Sequence, residues 1–207
     1  MTDRIIDDFN DLIATIEMPT GKRKVIIAAV KLFSDQGFNG TSTAQISELS
    51  GMSEATIFKY FKTKRGLLEA IINPLMDDLI PSYGQEFIQK RVPQNQDFEQ
   101  TIQFIVNDRL TFIYDNRLIL QILMSEALVN DDLLNRLRQK FTPIIKQLSS
   151  ALESLIPNSE ISIVDLFRLL VGQIFFEFMR ITKFGNVKNY DIQIVADKIT
   201  KSIVAMV

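Results

Sequence analysis

The sequence predicts an all-α protein, with an N-terminal three-helix helix-turn-helix domain followed by a C-terminal helical domain. Apolar residues recur at three- and four-residue spacing along most of the 207 residues, which is the period of amphipathic helices. Residues 41–66 also read as two short helices joined by a tight turn and followed by the start of a third. We therefore divide the chain into an acidic, helical extension (1–19), a helix-turn-helix domain (20–66) and a helical domain (67–207).

The extension carries five apolar residues at helical spacing: Ile5, Phe9, Leu12, Ile13 and Ile16. They predict a helix over about 3–17 that ends at Met18-Pro19. Five acids against one Arg give this segment a net charge of −4, which argues against a basic arm that reads the minor groove. Packing on its own chain, packing on a partner and a frayed tail all remain open.

The next elements are delimited by local start and stop signals. A helix over 21–37 ends at Gly37, and Ser42 with Gln45 three residues later has capping-box spacing. Gly51 supplies the left-handed conformation that ends that second helix. Ser53 then caps a helix over roughly 54–61. A helix, a turn with Gly and a second helix form a helix-turn-helix.

The helix over 54–61 has two different faces. Ile57, Phe58 and Phe61 are expected to point inward, because i and i+4 residues share a face. The outer face is then the set Ala55, Thr56, Lys59 and Tyr60. An ordinary solvated face carries several charges of both signs, so this mixture is more typical of a surface that lies against DNA.

Basic residues flank this motif at two helix starts, where the helix dipole disfavours cations. One cluster is Lys62, Lys64 and Arg65, and the other is Lys22-Arg23-Lys24. Residues 20–65 carry a net charge of +5 in a chain whose total is −2. Bound phosphate would make both the amides and the cations favourable. An ordinary solvated cluster is the alternative for either set alone.

Residues 20–70 resemble the DNA-binding domain of the tetracycline-repressor (TetR) family of bacterial transcriptional regulators. The matching pieces are AAVKLFSDQGFNGTS, ISELSGMS and ATIFKYFKTKRGLLEAI, about a quarter of the chain. Phe58 stands where the family usually has Tyr, so a phenol-to-phosphate bond is lost; Ser47, Leu49 and Ser50 replace common Ala positions. The predicted DNA contacts are Ser42, Thr43, Ala44, Ser53, Ala55, Thr56, Lys59, Tyr60, Lys62 and Lys64.

The C-terminal domain should consist of a linking helix and five further helices. The linking helix runs from Lys64 to about Leu79, is kinked by Pro74, and by the resemblance carries movement from ligand to DNA. Residues 81–96 are predicted as a loop, although QEFIQK has the composition of a helical turn. Helical patterns follow at about 97–114, 117–129, 131–156 (with Pro143 inside), 161–184 and 190–206.

Residues 161–184 are apolar nearly all round, so both sides of this helix should be covered. The last helix has an apolar stripe of its own. Two such helices from each subunit would make a four-helix dimer interface, which the resemblance also implies. Burial of the same faces inside a monomer is the competing interpretation.

A ligand pocket is expected in the C-terminal domain, for an apolar or amphipathic effector. Its predicted lining is Phe104, Tyr114, Met124, Phe141, Gln173, Phe176, Glu177 and Met179, with Phe175 as a further candidate. Each aromatic or Met is also a plausible core residue. Glu126, Glu177 and Gln173 are polar groups on apolar helices that would orient a ligand, and an ion pair of Glu177 with Arg180 or Arg168 is the alternative.

Composition excludes several other classes. The chain has no Cys and no His, so the usual nucleophile–base pairs and common zinc sites cannot be built. No glycine-rich phosphate loop occurs, and we predict no catalytic activity, no cofactor and no metal. The N-terminus lacks a signal-peptide pattern and no uninterrupted apolar run is long enough to span a bilayer, so a cytoplasmic location is expected.

We therefore predict a dimeric, ligand-responsive DNA-binding regulator, most simply a repressor of an inverted-repeat operator that a small-molecule inducer releases. The alternative is an all-α interaction protein whose helix-turn-helix docks another protein.

Overall fold

The computed structural model describes residues 5–93, 96–156, 161–184 and 190–207, which contain helices and no strands. The α-helices are α1 (Ile5–Thr15), α2 (Thr20–Gly40), α3 (Thr43–Ser50), α4 (Glu54–Phe61), α5 (Lys64–Pro74), α6 (Ile80–Glu86), α7 (Phe98–Asp115), α8 (Arg117–Ala127), α9 (Asp131–Glu153), α10 (Ile163–Met179) and α11 (Ile192–Val204). Three π-helical segments, Leu75–Leu79, Phe87–Arg91 and Arg180–Phe184, continue α5, α6 and α10. The all-α prediction is confirmed.

The chain forms two compact units. The first, here the N-terminal unit, contains residues up to 81 together with 118–137. The second, the C-terminal unit, contains 82–117 and 138–207. The N-terminal unit therefore takes in most of α8 and the start of α9, in addition to the helix-turn-helix.

In the N-terminal unit, α1 packs on its own chain, against α2 and the π-helical segment 75–79. Ile5, Phe9 and Ile13 are fully buried, as their spacing predicts. Arg23 secures the end of α1: its Nε donates to the Ile13 carbonyl (3.1 Å) and its Nη2 to the Ile16 carbonyl (2.9 Å). A helix C-terminus favours a cation because its last carbonyls lack intrahelical donors.

The first helix is predicted to end at Gly37, and the structure shows α2 interrupted at this residue. Its φ of 79° is a left-handed value that glycine adopts without strain. One further helical turn then follows to Gly40.

The loop predicted for residues 81–96 is wrong over residues 81–91, and the helical turn considered for QEFIQK lies within this helical stretch. The chain is helical from Ile80 through Arg91, in α6 and the π-helical segment that follows it. Pro81 lies just after the π-helical segment Leu75–Leu79, where the Ile80 N–H already bonds to the Leu75 carbonyl and the regular i→i−4 hydrogen-bond pattern is altered. Gly84 is favourable in α6, because a Cβ at that position would come within 2.8 Å of Ile144 Cδ1.

In the C-terminal unit, α7, α10 and α11 pack together around a core that includes Ile102, Leu110, Leu166 and Ile199. The five helices predicted after residue 96 are all present, with ends within about three residues of those predicted apart from the π-helical end of α10.

This unit also buries one carboxylate among cations. Asp108 is paired with both Arg91 and Arg109. The Arg109 guanidinium lies 3.8 Å from the centre of the Phe87 ring and 4.8 Å from that of Phe112. Pairing on both sides is what makes a buried carboxylate tolerable.

Within the described residues, no helix is both long enough and apolar enough to cross a membrane.

Candidate nucleic-acid interface and ligand groove

The turn between α3 and α4 is built by the caps that the sequence predicts. The Ser42 hydroxyl accepts from the Gln45 N–H (3.2 Å), and the Gln45 side chain accepts from the Ser42 N–H (2.8 Å), which completes a capping box. Gly51 ends α3 with φ 68° and ψ 18°. The Ser53 hydroxyl then accepts from the Thr56 N–H, so α4 begins where predicted.

The inward face of α4 differs from the prediction at one residue. Ile57 and Phe61 are buried, whereas Phe58 is 42% exposed. An i and i+4 pair faces one direction, and the residue between them at i+1 is turned about 100° away. Phe58 therefore belongs to the surface of α4 and was wrongly assigned to the core.

The outward face of α4 is accessible as predicted at Ala55 and Lys59, which are exposed. Thr56 is half-buried, and its hydroxyl lies 2.9 Å from that of Ser53. Thr43, on α3, donates to the carboxylate of Glu54, so this acid ties the starts of α3 and α4 together.

Tyr60 is turned toward the start of α2. A Cβ on Gly21 would lie 3.4 Å from the Tyr60 hydroxyl and 3.0 Å from Met52 Sδ. The absence of a side chain at Gly21 therefore lets α2 approach α4 closely. Ser42, Thr43, Ala44 and Ser53 lie at the starts of α3 and α4, around the same turn.

The cations around this motif fall into two groups. Lys24, Lys59 and Lys62 are exposed, and the structure gives their ammonium groups no hydrogen bond or ion pair to any described residue. Arg23 caps α1, and the Lys64 ammonium donates to the carbonyls of Phe38 (2.9 Å) and Thr41 (2.8 Å). The phosphate contact of Lys64 stays a prediction. Lys24 belongs to the basic cluster Lys22-Arg23-Lys24 and is an exposed cation, but it is missing from the predicted DNA contacts.

Arg65, the third cation of its cluster, pairs within the N-terminal unit. Its Nη1 donates to Glu126 Oε2 (2.9 Å), and its Nη2 pairs with Oε1 of the same carboxylate. Glu126 is 6% exposed and also accepts from Asn130 Nδ2 (3.0 Å). This is the fork-to-carboxylate geometry in which Arg binds most strongly. Glu126, considered as a ligand-orienting group, therefore already has two partners.

A groove of about 560 Å³ lies between α10 and α11 in the C-terminal unit. It is lined by Gln173 and Glu177 of the predicted ligand set, together with Arg180, Tyr190, Lys198 and Ile199, among others. The predicted ion pair is present, since Arg180 Nε donates to Glu177 Oε2 at 2.7 Å. The volume of the groove falls within the range of small-molecule sites.

Two residues that line this groove, Tyr190 and Arg180, belong to a stack of aromatic rings and guanidinium groups. The rings of Tyr114 and Tyr190 are parallel with centroids 5.6 Å apart. Arg117 lies 4.9 Å from the centre of the Tyr114 ring and Arg180 lies 4.9 Å from that of Tyr190. Burial, and then the nearby Glu177 carboxylate, raise the pKa of the Tyr190 hydroxyl far above its ordinary value. This hydroxyl therefore stays protonated and can act as a hydrogen-bond donor.

The remaining predicted ligand residues are not brought together at this groove. Phe104 stacks on Phe87 at 6.5 Å, Phe176 is exposed and Met124 belongs to the N-terminal unit. Phe141 and Met179 are half-buried. Helical spacing identifies which residues share a face of one helix, but it does not identify which faces of different helices meet.

Comparison with known proteins agrees with this architecture. Residues 25–71 match the family model described as bacterial regulatory proteins, tetR family. An uncharacterized HTH-type transcriptional regulator of Bacillus subtilis (strain 168), YvkB, is 46% identical over 55 residues, which are 27% of this chain and 29% of that protein. The HTH-type transcriptional regulator RutR of Escherichia coli (strain K12) is 28% identical over 101 residues, 43% of this chain and 48% of RutR. The chain thus spans half or less of the length of these two relatives.

Solved structures share the fold over nearly the whole chain. The transcriptional regulator FadR from Bacillus subtilis, solved in complex with stearoyl-CoA, aligns with a TM-score of 0.60 and 16% identity, over 89% of this chain and 98% of FadR. A TetR-like transcriptional regulator from Rhodococcus sp. RHA1 aligns with a TM-score of 0.63 and 17% identity, over 91% and 96% of the two chains.

Fold and geometry thus define a helix-turn-helix protein with an attached helical unit. Residues 25–71 are similar to the tetR family of bacterial regulatory proteins, and the relatives that the chain matches are HTH-type transcriptional regulators.

Proposed function

We propose that this protein is a ligand-responsive transcriptional regulator that binds an inverted-repeat DNA operator as a homodimer and releases it when a small-molecule inducer binds. The observation that carries the DNA part is the outer face of α4. It exposes Ala55 and Lys59 beside a turn that is capped on both sides, and Lys24 and Lys62 nearby are exposed cations. Such a face suits major-groove contact, with the lysines on the phosphates. Repression in the cytoplasm is the simplest form of this role.

A mobility-shift titration with the DNA that flanks its own gene tests the DNA-binding role. We expect one fragment to shift, with log affinity falling linearly as log salt concentration rises, because bound cations release counterions. Footprinting should then show two half-sites whose centres lie about 34–36 Å apart, or a multiple of that. Shifting of no fragment at low salt would instead favour the protein-docking alternative.

The dimer is proposed from an apolar face that the single chain leaves open. Val171, Phe175 and Phe176 of α10 are 59%, 44% and 56% exposed, as is Ile194 of α11 at 52%. Exposed apolar surface of this kind on paired helices is suited to a second copy packing by two-fold symmetry. A dimer would also provide two recognition helices for an inverted repeat.

The effector is proposed to bind in the C-terminal unit, where Gln173, Glu177, Tyr190 and Ile199 give the groove between α10 and α11 a mixed apolar and polar lining. Stearoyl-CoA, the ligand of the structurally similar FadR, is a reasonable first probe among amphipathic molecules. An effector that acts as an inducer weakens the binding of operator DNA. Linkage then requires operator DNA to weaken the binding of the effector by the same factor. Titration of a bound compound with and without operator measures this factor, and equal affinities would exclude an inducer role for that compound.

A further inference from the structure

The junction between α4 and α5 has an unusual backbone. Lys62 has φ 64° and ψ −45°, and it is the sole residue other than glycine with a positive φ in the described chain. The Thr63 N–H donates to the Phe61 carbonyl at 2.7 Å, so residues 61–63 form a γ-turn of the rarer, strained kind. A strained conformation of this kind persists when its surroundings hold it in place.

Two neighbouring residues hold the turn. Thr63 caps α5, because its hydroxyl accepts from the Gly66 N–H at 2.9 Å. A Cβ on Gly66 would overlap the Phe61 carbonyl oxygen, so the first turn of α5 lies directly against the end of α4. The proposed recognition helix, α4, is therefore connected to α5 through a short and tightly packed segment.

Lys64 connects the same junction to the end of α2. Its ammonium donates to the carbonyls of Phe38 (2.9 Å) and Thr41 (2.8 Å), 26 and 23 residues earlier in the chain, and lies 4.3 Å from the centre of the Phe38 ring. Both carbonyls lie at the C-terminal end of α2, which carries the negative end of the helix dipole. A partly buried ammonium over an aromatic ring is a favourable partner for them.

We propose that Lys64 is a positioning residue, which fixes α4 relative to the end of α2, and that Lys62 is the cation of this junction that meets a DNA phosphate. This inference rests on the proposed DNA-binding function. The γ-turn places Lys62 at the surface, where its side chain is exposed and has no hydrogen bond or ion pair to the described residues. Lys64 has two of its three donors on carbonyl groups, and moving it to a phosphate would leave both carbonyls without this partner.

Two matched variants of the full-length protein, Lys62→Ala and Lys64→Met, separate the roles, since each removes one positive charge. Methionine keeps most of the aliphatic length of Lys64. Binding to the operator is measured over a series of salt concentrations, together with a panel of single-base operator changes. Lys62→Ala should make the log–log salt slope shallower by roughly 1 to 2 per dimer and weaken binding to every sequence alike.

For Lys64→Met, we expect an unchanged salt slope. The ratio of affinities for the operator and for its single-base variants should fall about fivefold or more, because α4 no longer holds its position in the groove. A residue that only stabilised the fold would leave this ratio unchanged in the folded protein. Circular dichroism at the assay temperature confirms that each variant is folded.

A third variant, Phe38→Leu, removes the ring beneath the ammonium without changing any charge. We expect it to lower base discrimination in the same direction as Lys64→Met, again with the wild-type slope, and it keeps the test decisive if Lys64→Met does not fold. The proposal is overturned if Lys64→Met makes the slope shallower while Lys62→Ala does not, or if Phe38→Leu leaves discrimination intact. Failure of the wild type to bind DNA would refute the proposed function instead.

Discussion

Gly66 is the residue whose identity the backbone constrains most directly, because α5 begins against the Phe61 carbonyl. We predict that Gly66→Ala destabilises the protein by about 1–3 kcal/mol, the usual cost of forcing extra volume into a packed site, and weakens operator binding. Urea unfolding and DNA titration measure the two effects.

Gly40→Ala is the matched control for this substitution. A Cβ there meets nothing closer than Gln36 Cβ at 3.9 Å, and Gly40 has no positive φ. Alanine should therefore be neutral or stabilising by up to about 1 kcal/mol at this helix end. Equal destabilisation by both substitutions would contradict the close approach at Gly66.

Thr56 and Lys59 are the residues proposed to read bases. Thr56→Ala and Lys59→Ala should change which bases are preferred, at about 1–3 kcal/mol for each well-formed interaction with a base that the substitution removes. Binding to a panel of single-base operator changes at two salt concentrations checks this. Lys24→Ala is the comparison, because an exposed lysine on α2 is expected to weaken all sequences equally and to reduce the salt slope. A uniform decrease in affinity for the Thr56 and Lys59 variants would mean that α4 docks differently.

At the scale of elements, the pair formed by Arg65 of α5 and Glu126 of α8 links two helices that are far apart in sequence. Glu126→Ala should cost about 1–2 kcal/mol, because it removes charge-assisted hydrogen bonds, while the half-exposed Arg65 can regain water. Glu69→Ala instead removes the exposed 3.6 Å pair of Arg65 with Glu69, which should cost well under about 1 kcal/mol.

Chemical denaturation at neutral pH compares these two variants directly. If they cost the same, the Arg65–Glu126 pair contributes no more than an ordinary surface ion pair, and α8 is held to α5 by apolar packing alone.

At the scale of the whole molecule, the prediction concerns assembly. Phe175→Glu places a charge on the open face of α10 and should yield a folded monomer, because Phe175 is 44% exposed within its own chain. Ile199, by contrast, is buried in the chain itself, so a charge there should unfold the protein. Sedimentation velocity at micromolar concentration, with circular dichroism, distinguishes these outcomes.

Leu128→Glu provides the control for this experiment, since Leu128 is a 77% exposed apolar residue of the N-terminal unit. It should leave the dimer intact. A wild-type protein that sediments as a monomer at the same concentration would refute the dimer.

Local sequence signals are sufficient to set the helices and their ends in the N-terminal region. Ser42 with Gln45, Gly51 and Ser53 each act on backbone groups within three residues, so their effect can be read from spacing. The all-α class and the later helices follow likewise from periodicity, which depends on each segment alone.

Contacts between side chains and backbone groups from distant segments cannot be identified from the sequence; only the folded chain shows them. Lys62 and Lys64 are two residues apart and look alike in sequence, yet of these two lysines Lys64 is the one that meets the carbonyl groups of Phe38 and Thr41. Helix formation over 80–91 likewise involves Gly84 packing beside Ile144, sixty residues away. Spacing fixes the direction of a side chain on its own helix, whereas its partner depends on which surfaces the folded chain brings together.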